Sequence, residues 1–161
     1  DGEVFCPWPG PEHCESDAAV EAAAGRLSAA ADARADRDLR VRYHNHGQEC
    51  VSFDGRPALT HLLEAADGVG LELDVGWAGA AGEDPLAYLD AHGDRITHVH
   101  LKDYDAAAGD TVVVGTGDLD LDRTVGLARE NAVEWLIYEA ETGADSYATL
   151  ETAADTVAGL K

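Results

Sequence analysis

Histidine and carboxylate residues recur in this chain at the ends of short apolar runs. His44-Asn45-His46 follows the run Leu39 to Tyr43, with Glu49 close behind. Asp74 stands near the end of the run Val69 to Val75. His98-x-His100, with Lys102 and Asp103, closes the run from Ile96 to Leu101, and Glu139, with Glu141, follows Trp135 to Tyr138. Imidazole and carboxylate are the common oxygen and nitrogen ligands of divalent metals. They are also the side chains that most often move protons near neutral pH. A second metal pattern, Cys6, His13 and Cys14, matches no common zinc spacing.

Such residues act together only if the fold collects them. Short apolar runs alternate with helix-period segments. Val4-Phe5-Cys6 reads as a strand end, followed by a Pro-broken loop through Trp8. Ser16 or Asp17 caps a helix with Val20, Ala23, Ala24, Leu27, Ala30 and Ala31 on one stripe. Pro57 opens a helix that turns Leu59, Leu62, Leu63 and Ala66 inward. Asp84-Pro85 opens another, with Leu86 and Leu89, closed near Gly93. A longer loop carries Val112 to Val114 and Gly115-Thr116-Gly117-Asp118. It precedes a helix with Leu121, Val125 and Ala128. Asp145 or Ser146 caps the last helix, with Tyr147, Leu150, Ala154 and Val157 expected to be buried. Strand and helix alternate throughout, which implies a parallel sheet with helical crossovers. An open doubly wound sheet and a (β/α)8 barrel both fit. No GxGxxG or GxxxxGK[ST] follows any strand, so the usual nucleotide-sheet signature is missing.

In a parallel barrel the carboxyl ends of all strands converge on one face, where active sites are built. The alternation within strands agrees. In Thr97-His98-Val99-His100-Leu101 the two histidines share one side and the apolar residues the other. Glu72 and Asp74 stand in the same relation to Leu71, Leu73 and Val75.

Composition narrows the partners. The 161 residues hold 32 acidic and 11 basic side chains, a formal charge of -21, and 45% apolar residues. That charge disfavours nucleic acid and anionic membrane, while the apolar content is too high for disorder. No apolar run reaches the roughly 20 residues of a membrane span. The acidic residues are dispersed, Met is absent, and of the basic residues only Lys102 and Lys161 are lysines. This is the pattern of a salt-adapted, halophilic surface. Three cysteines without a CxxC argue against a disulfide framework and for a reducing, cytoplasmic setting.

Five segments together resemble one family. They are Tyr43-His44-Asn45-His46-Gly47-Gln48-Glu49, Leu73-Asp74-Val75-Gly76-Trp77, Val99-His100-Leu101-Lys102-Asp103, Val114-Gly115-Thr116-Gly117-Asp118, and Glu134-Trp135-Leu136-Ile137-Tyr138-Glu139. In order and spacing they resemble the xylose isomerase-like TIM-barrel family, which includes sugar phosphate isomerases and epimerases and inosose dehydratase. The resemblance implies an α/β fold, a (β/α)8 TIM barrel, of which residues 1–161 are the C-terminal five βα units of a single domain. A full barrel takes about 250 residues, so roughly 90 are expected upstream. An incomplete barrel would be closed by that segment or by a second copy, which leaves a homo-oligomer open.

The resemblance also implies a divalent metal held by Glu, Asp, His and Glu. Carried over, Asp74, His100 and Glu139 are ligands. His44 stands where the first Glu is expected, and Glu49 could supply that carboxylate from the following loop. A histidine in the set favours Mn, Zn or Co over Mg. The implied function is a metal-dependent isomerase or epimerase of a small sugar or sugar phosphate, working by proton transfer beside a carbonyl. Glu139 and Glu49 are the candidate catalytic carboxylates. His46 and Lys102 could hold hydroxyls or a phosphate, though Lys102 could instead pair with Asp103. Trp77 could stack on the sugar. An inosose dehydratase-type lyase on the same site, an endonuclease of the same fold and a non-catalytic sugar-binding relative are the alternatives.

The charge yields a first prediction. Self-repulsion at -21 is long-ranged when the Debye length is about 30 Å, near 0.01 M salt, and short-ranged at about 3 Å, near 1 M. Tm should therefore climb steadily from low to molar salt in a thermal-melt series. A flat response would rule out a halophilic surface.

Overall fold

The structure is a computed structural model that describes residues 2–7, 9–140 and 146–160. Trp8, Glu141 and Asp145 lie outside the described residues. The principal strands are parallel, and their order in the sheet is their order in the chain. Strand alternates with helix from end to end, which makes the chain an incomplete (β/α) barrel. It forms two compact units, Asp1–Glu72 and Leu73–Lys161.

The first unit contains β1 (Gly2–Cys6), α1 (Asp17–Asp32), β2 (Leu39–His44), a small antiparallel hairpin of β3 (Ser52–Phe53) and β4 (Arg56–Pro57), α2 (Ala58–Ala65) and most of β5 (Val69–Asp74). Ser16 caps α1, its hydroxyl accepting the Ala19 N–H at 3.2 Å. Val20, Ala23, Ala24 and Leu27 are buried. Ala30 is exposed, contrary to the stripe expected of it, as α1 runs on past its buried face. In α2, Leu59, Leu62 and Leu63 are buried, as is Ala66 just beyond it. His61 is buried with them, its Nδ1 2.9 Å from Asp17 of α1. The β1–β2 pair carries the Glu3–Arg42 ion pair, 2.7 Å from Nη2 to Oε1. Arg42 fits there because residue 70 is glycine. A Cβ at Gly70 would lie 1.8 Å from the guanidinium.

The second unit contains α3 (Val75–Ala80), α4 (Pro85–His92), β6 (Ile96–Leu101), a hairpin of β7 (Asp103–Asp105) and β8 (Asp110–Val112), α5 (Leu121–Glu130), β9 (Trp135–Tyr138) and α6 (Ser146–Gly159). Asp84 caps α4 by accepting from Leu86 N at 2.9 Å, with Pro85 in the first turn. Asp120 caps α5 in the same way, through Arg123 N at 2.9 Å. Along β6, Val99 and Leu101 are buried. β9 lies parallel to it, with His100 opposite Ile137.

The last helix departs from the expected pattern. Tyr147 is 86% exposed, and Leu150, Ala154 and Val157 are exposed too, whereas Ala153 is buried. The helix makes its close approach through small residues. Thr156 sits against Gly115, where a Cβ would meet its Oγ1 at 2.8 Å. Leu150, Ala154 and Val157 instead line an open cavity of about 170 Å³ with Leu101, Leu136 and Tyr138. Among the described residues no helix is long and apolar enough to cross a membrane.

Candidate active site

Strand β5 ends at Asp74, and the chain turns at once into α3. Asp74 makes that turn by capping the helix. Its Oδ1 accepts the Trp77 N–H at 2.9 Å. The other oxygen, Oδ2, lies 3.0 Å from the Lys102 ammonium. Lys102 follows directly after β6 and reaches a second carboxylate, Glu139 Oε2, at 3.2 Å. Glu139 follows directly after β9, and the same Oε2 lies 2.6 Å from His100 Nδ1. The Lys102 ammonium also stands 5.3 Å from the centre of the Trp77 ring, within cation–π range.

Asp74 and Lys102 are sealed from solvent, at 0% and 1% exposure, while Glu139 is 38% exposed. Glu139 is thus the more accessible of the two carboxylates. Burial alone would raise its carboxyl pKa. The hydrogen bond from His100 and the charge and hydrogen bond of Lys102 outweigh that, and hold it below its ordinary value. It is ionised at neutral pH and ready to accept a proton or hold a cation. Gly76 makes the packing feasible, because a Cβ there would meet Lys102 Cβ at 2.6 Å.

Asp74, His100 and Glu139 each offer a donor atom within 4.8 Å of the others. Two ligands about 2.3 Å from one ion lie at most about 4.6 Å apart. The donor spacing is therefore close to what a single divalent ion requires. Among the described residues, Cys6, His13 and Cys14 make no comparable donor group. Burial, followed by the Glu49 charge, pushes the Cys14 thiol pKa up to about 12, so it is a poor ligand at neutral pH.

The residues singled out on the loop after β2 are engaged locally. Glu49 is fully buried. Its Oε1 accepts from the Tyr43 hydroxyl at 2.5 Å and from Gln48 Nε2 at 3.0 Å. Its Oε2 accepts the His46 N–H at 2.8 Å. His46 returns the bond through its side chain, a capping box that shapes the 3-10 turn Gly47–Cys50. Both Glu49 oxygens are thus taken by groups of its own loop. The carboxylate beside His44 is Glu72, 3.0 Å from its Nδ1, on the neighbouring strand. His46 packs edge-on against His44, with ring centres 4.8 Å apart.

Asp103 has a role that its neighbour Lys102 obscured. Lys102 pairs with Asp74 and Glu139, both far from it in the sequence. The buried Asp103 carboxylate accepts four backbone N–H groups. Oδ1 takes Tyr104 at 2.8 Å and Leu119 at 2.9 Å, and Oδ2 takes Gly115 at 3.0 Å and Gly117 at 2.9 Å. One side chain thereby gathers the Gly115-Thr116-Gly117 loop against the strand end that carries Lys102. The only hint in the sequence is an Asp at a strand end followed by a glycine-rich loop, whose exposed N–H groups need an acceptor.

The model of the family described as xylose isomerase-like TIM barrel matches residues 4–160. An inosose dehydratase of Clostridium botulinum (strain Eklund 17B / Type B) is 31% identical over 127 residues, covering 66% of this chain and 42% of that protein. An inosose dehydratase of Lactiplantibacillus plantarum is 30% identical over 135 residues, covering 71% and 44%. A solved structure of a sugar phosphate isomerase/epimerase from Parabacteroides distasonis superposes with a TM-score of 0.77 at 19% identity, covering 97% of this chain and 58% of that one. The chain thus spans less than half the length of the curated relatives it matches.

The Asp103 hub can be tested directly. Asp103→Asn replaces one acceptor oxygen with an amide that faces backbone N–H groups. Hydrogen bonds to a charged group contribute about 1.5–3 kcal/mol each, so the loop should loosen by at least about 2 kcal/mol. Amide hydrogen exchange at Gly115, Gly117 and Leu119 should accelerate by about tenfold or more. Unchanged protection would show that the loop is held by something else.

Proposed function

The chain belongs to the xylose isomerase-like TIM-barrel family, and we propose that the protein containing it removes a proton from the carbon beside the carbonyl of a sugar or cyclic polyol ketone. The observation that carries this reading is the meeting of Asp74, His100, Lys102 and Glu139 around shared carboxylate oxygens. Asp74, His100 and Glu139 would hold a divalent ion, with His44 proposed as a fourth donor on the family resemblance. When bound, such an ion polarises the substrate carbonyl and offsets the negative charge that builds up as the proton leaves.

The protein's own groups then have distinct tasks. Glu139, ionised and the more open of the two carboxylates, takes the proton from the α-carbon. Asp74 is tied to the first turn of α3 and stays fixed. Lys102 presents a cation beside Glu139, placed to hold or protonate a substrate oxygen. Trp77 offers an aromatic face. His46 is held by its capping box with Glu49, so Glu49 is proposed as a positioning residue rather than the second base.

Two outcomes share that first step. In the lyase outcome a hydroxyl on the next carbon departs. Its C–O bond breaks, the electron pair of the former C–H bond forms a C=C bond, and the hydroxide leaves as water with a proton from a donor such as Lys102. The names of the relatives at 30–31% identity support this outcome, as does a cation beside the base. In the isomerase or epimerase outcome the proton returns to carbon and no leaving group needs protonation. The five sequence motifs fit either outcome, because the family they resemble includes both activities.

Glu139→Gln keeps size and hydrogen bonding but removes the charge. Turnover and exchange of the substrate α-hydrogen with solvent deuterium should both fall by at least about 10²-fold, with the melting transition still cooperative. Near-normal exchange would remove Glu139 as the base. Product analysis of the wild type separates the outcomes, since elimination yields a conjugated, ultraviolet-absorbing enone and isomerisation does not.

A further inference from the structure

Lys102 occupies the place where a metal would need its ligands. Its ammonium lies 3.0 Å from Asp74 Oδ2 and 3.2 Å from Glu139 Oε2, and both residues belong to the metal-donor group. A divalent ion would bond those groups at about 2.0–2.3 Å. Ammonium and ion would then stand a few ångströms apart with the same sign of charge, beside the buried Asp74, where screening is weak. The two cations compete for these oxygens, and each weakens the hold of the other.

We infer that Lys102 is a built-in competitor for the metal, lowering its affinity and moving aside when it binds. This rests on the metal reading of the site above. The lysine stem cannot withdraw as a whole, because Gly76 is packed so closely against it that a Cβ at residue 76 would lie only 2.6 Å from Lys102 Cβ. The head can move, since the Trp77 ring beside it offers a second favourable surface for a cation. A lysine is suited to this. It is a compact point charge on a flexible stem, whereas an arginine fork would lock bidentately onto one carboxylate. With the lysine opposing every ion, only ions that bind nitrogen and oxygen donors strongly prevail, which works against Mg more than against Mn, Zn or Co. Once displaced, the ammonium is free to face a substrate oxygen beside Glu139.

The test uses Mn²⁺ and Co²⁺ as probes. Equilibrium dialysis and calorimetry compare wild type with Lys102→Gln, which removes the charge but keeps a polar head. Lys102→Gln should bind both ions at least tenfold more tightly than wild type. A second measurement needs no variant. Lys102 and Lys161 are the only lysines, so acylation by an N-hydroxysuccinimide ester can be read by mass spectrometry, with Lys161 as internal control. Lys102 labelling should be slow without metal and should rise at least several-fold at saturating Mn²⁺. Metal binding of equal strength in wild type and Lys102→Gln, with Lys102 labelling unchanged by Mn²⁺, would overturn the competition and leave the metal reading standing. No binding of either ion to either protein would overturn the metal reading and this inference with it.

Discussion

A carboxylate sealed from water needs a cation. That requirement shapes the end of the second unit more than any other. Asp74 is fully buried, and Glu139 beside it is partly exposed. Leaving the Asp74 charge uncompensated in a low-dielectric setting would cost several kcal/mol, and Glu139 places a second negative charge beside it. Lys102 meets the need by standing between them, and His100 adds a hydrogen bond to Glu139. The surrounding residues follow from keeping that ammonium in place. Gly76 leaves room for its stem, Trp77 lies beside its head, and Asp103 pins the adjacent loop through four backbone N–H groups. Under the proposed function the same cluster would also seat a divalent cation.

The strands and the side chains at their ends were legible because both are written in local pattern. The alternation through Thr97-His98-Val99-His100-Leu101 places Val99 and Leu101 in the core, as observed. Asp74 and Glu139 were visible as carboxylates at the close of apolar runs. The pairings between them were not visible, since they join residues far apart in the chain and depend on how strand ends abut. Lys102 thus had an obvious sequence neighbour in Asp103, yet its partners are 28 and 37 positions away in the numbering. The Asp103 carboxylate meanwhile serves backbone groups, hinted at only by the glycine-rich loop that follows it.

Two other differences have physical reasons as plain. Glu49 looked like a spare carboxylate near the histidines. Tyr43 near the end of β2 and the loop residues His46 and Gln48 supply three donors within six residues of it. The last helix shows an apolar stripe of Tyr147, Leu150, Ala154 and Val157, but periodicity says only which residues share a face. Contact is made where small residues permit close approach, here at Ala153 and Thr156. Both cases show side-chain type correctly suggesting a role that geometry then assigns elsewhere.

The central claim is that Asp74, His100 and Glu139 together seat a divalent ion. Anomalous diffraction from crystals of the protein soaked in Mn²⁺, recorded on both sides of the manganese edge, tests it most directly. The account predicts one strong peak about 2.0–2.3 Å from a donor atom of each of these three residues. It also predicts that the Lys102 ammonium has moved off Asp74 Oδ2. A peak elsewhere, or none at these residues in a protein that remains fully active in the presence of a chelator, would contradict it.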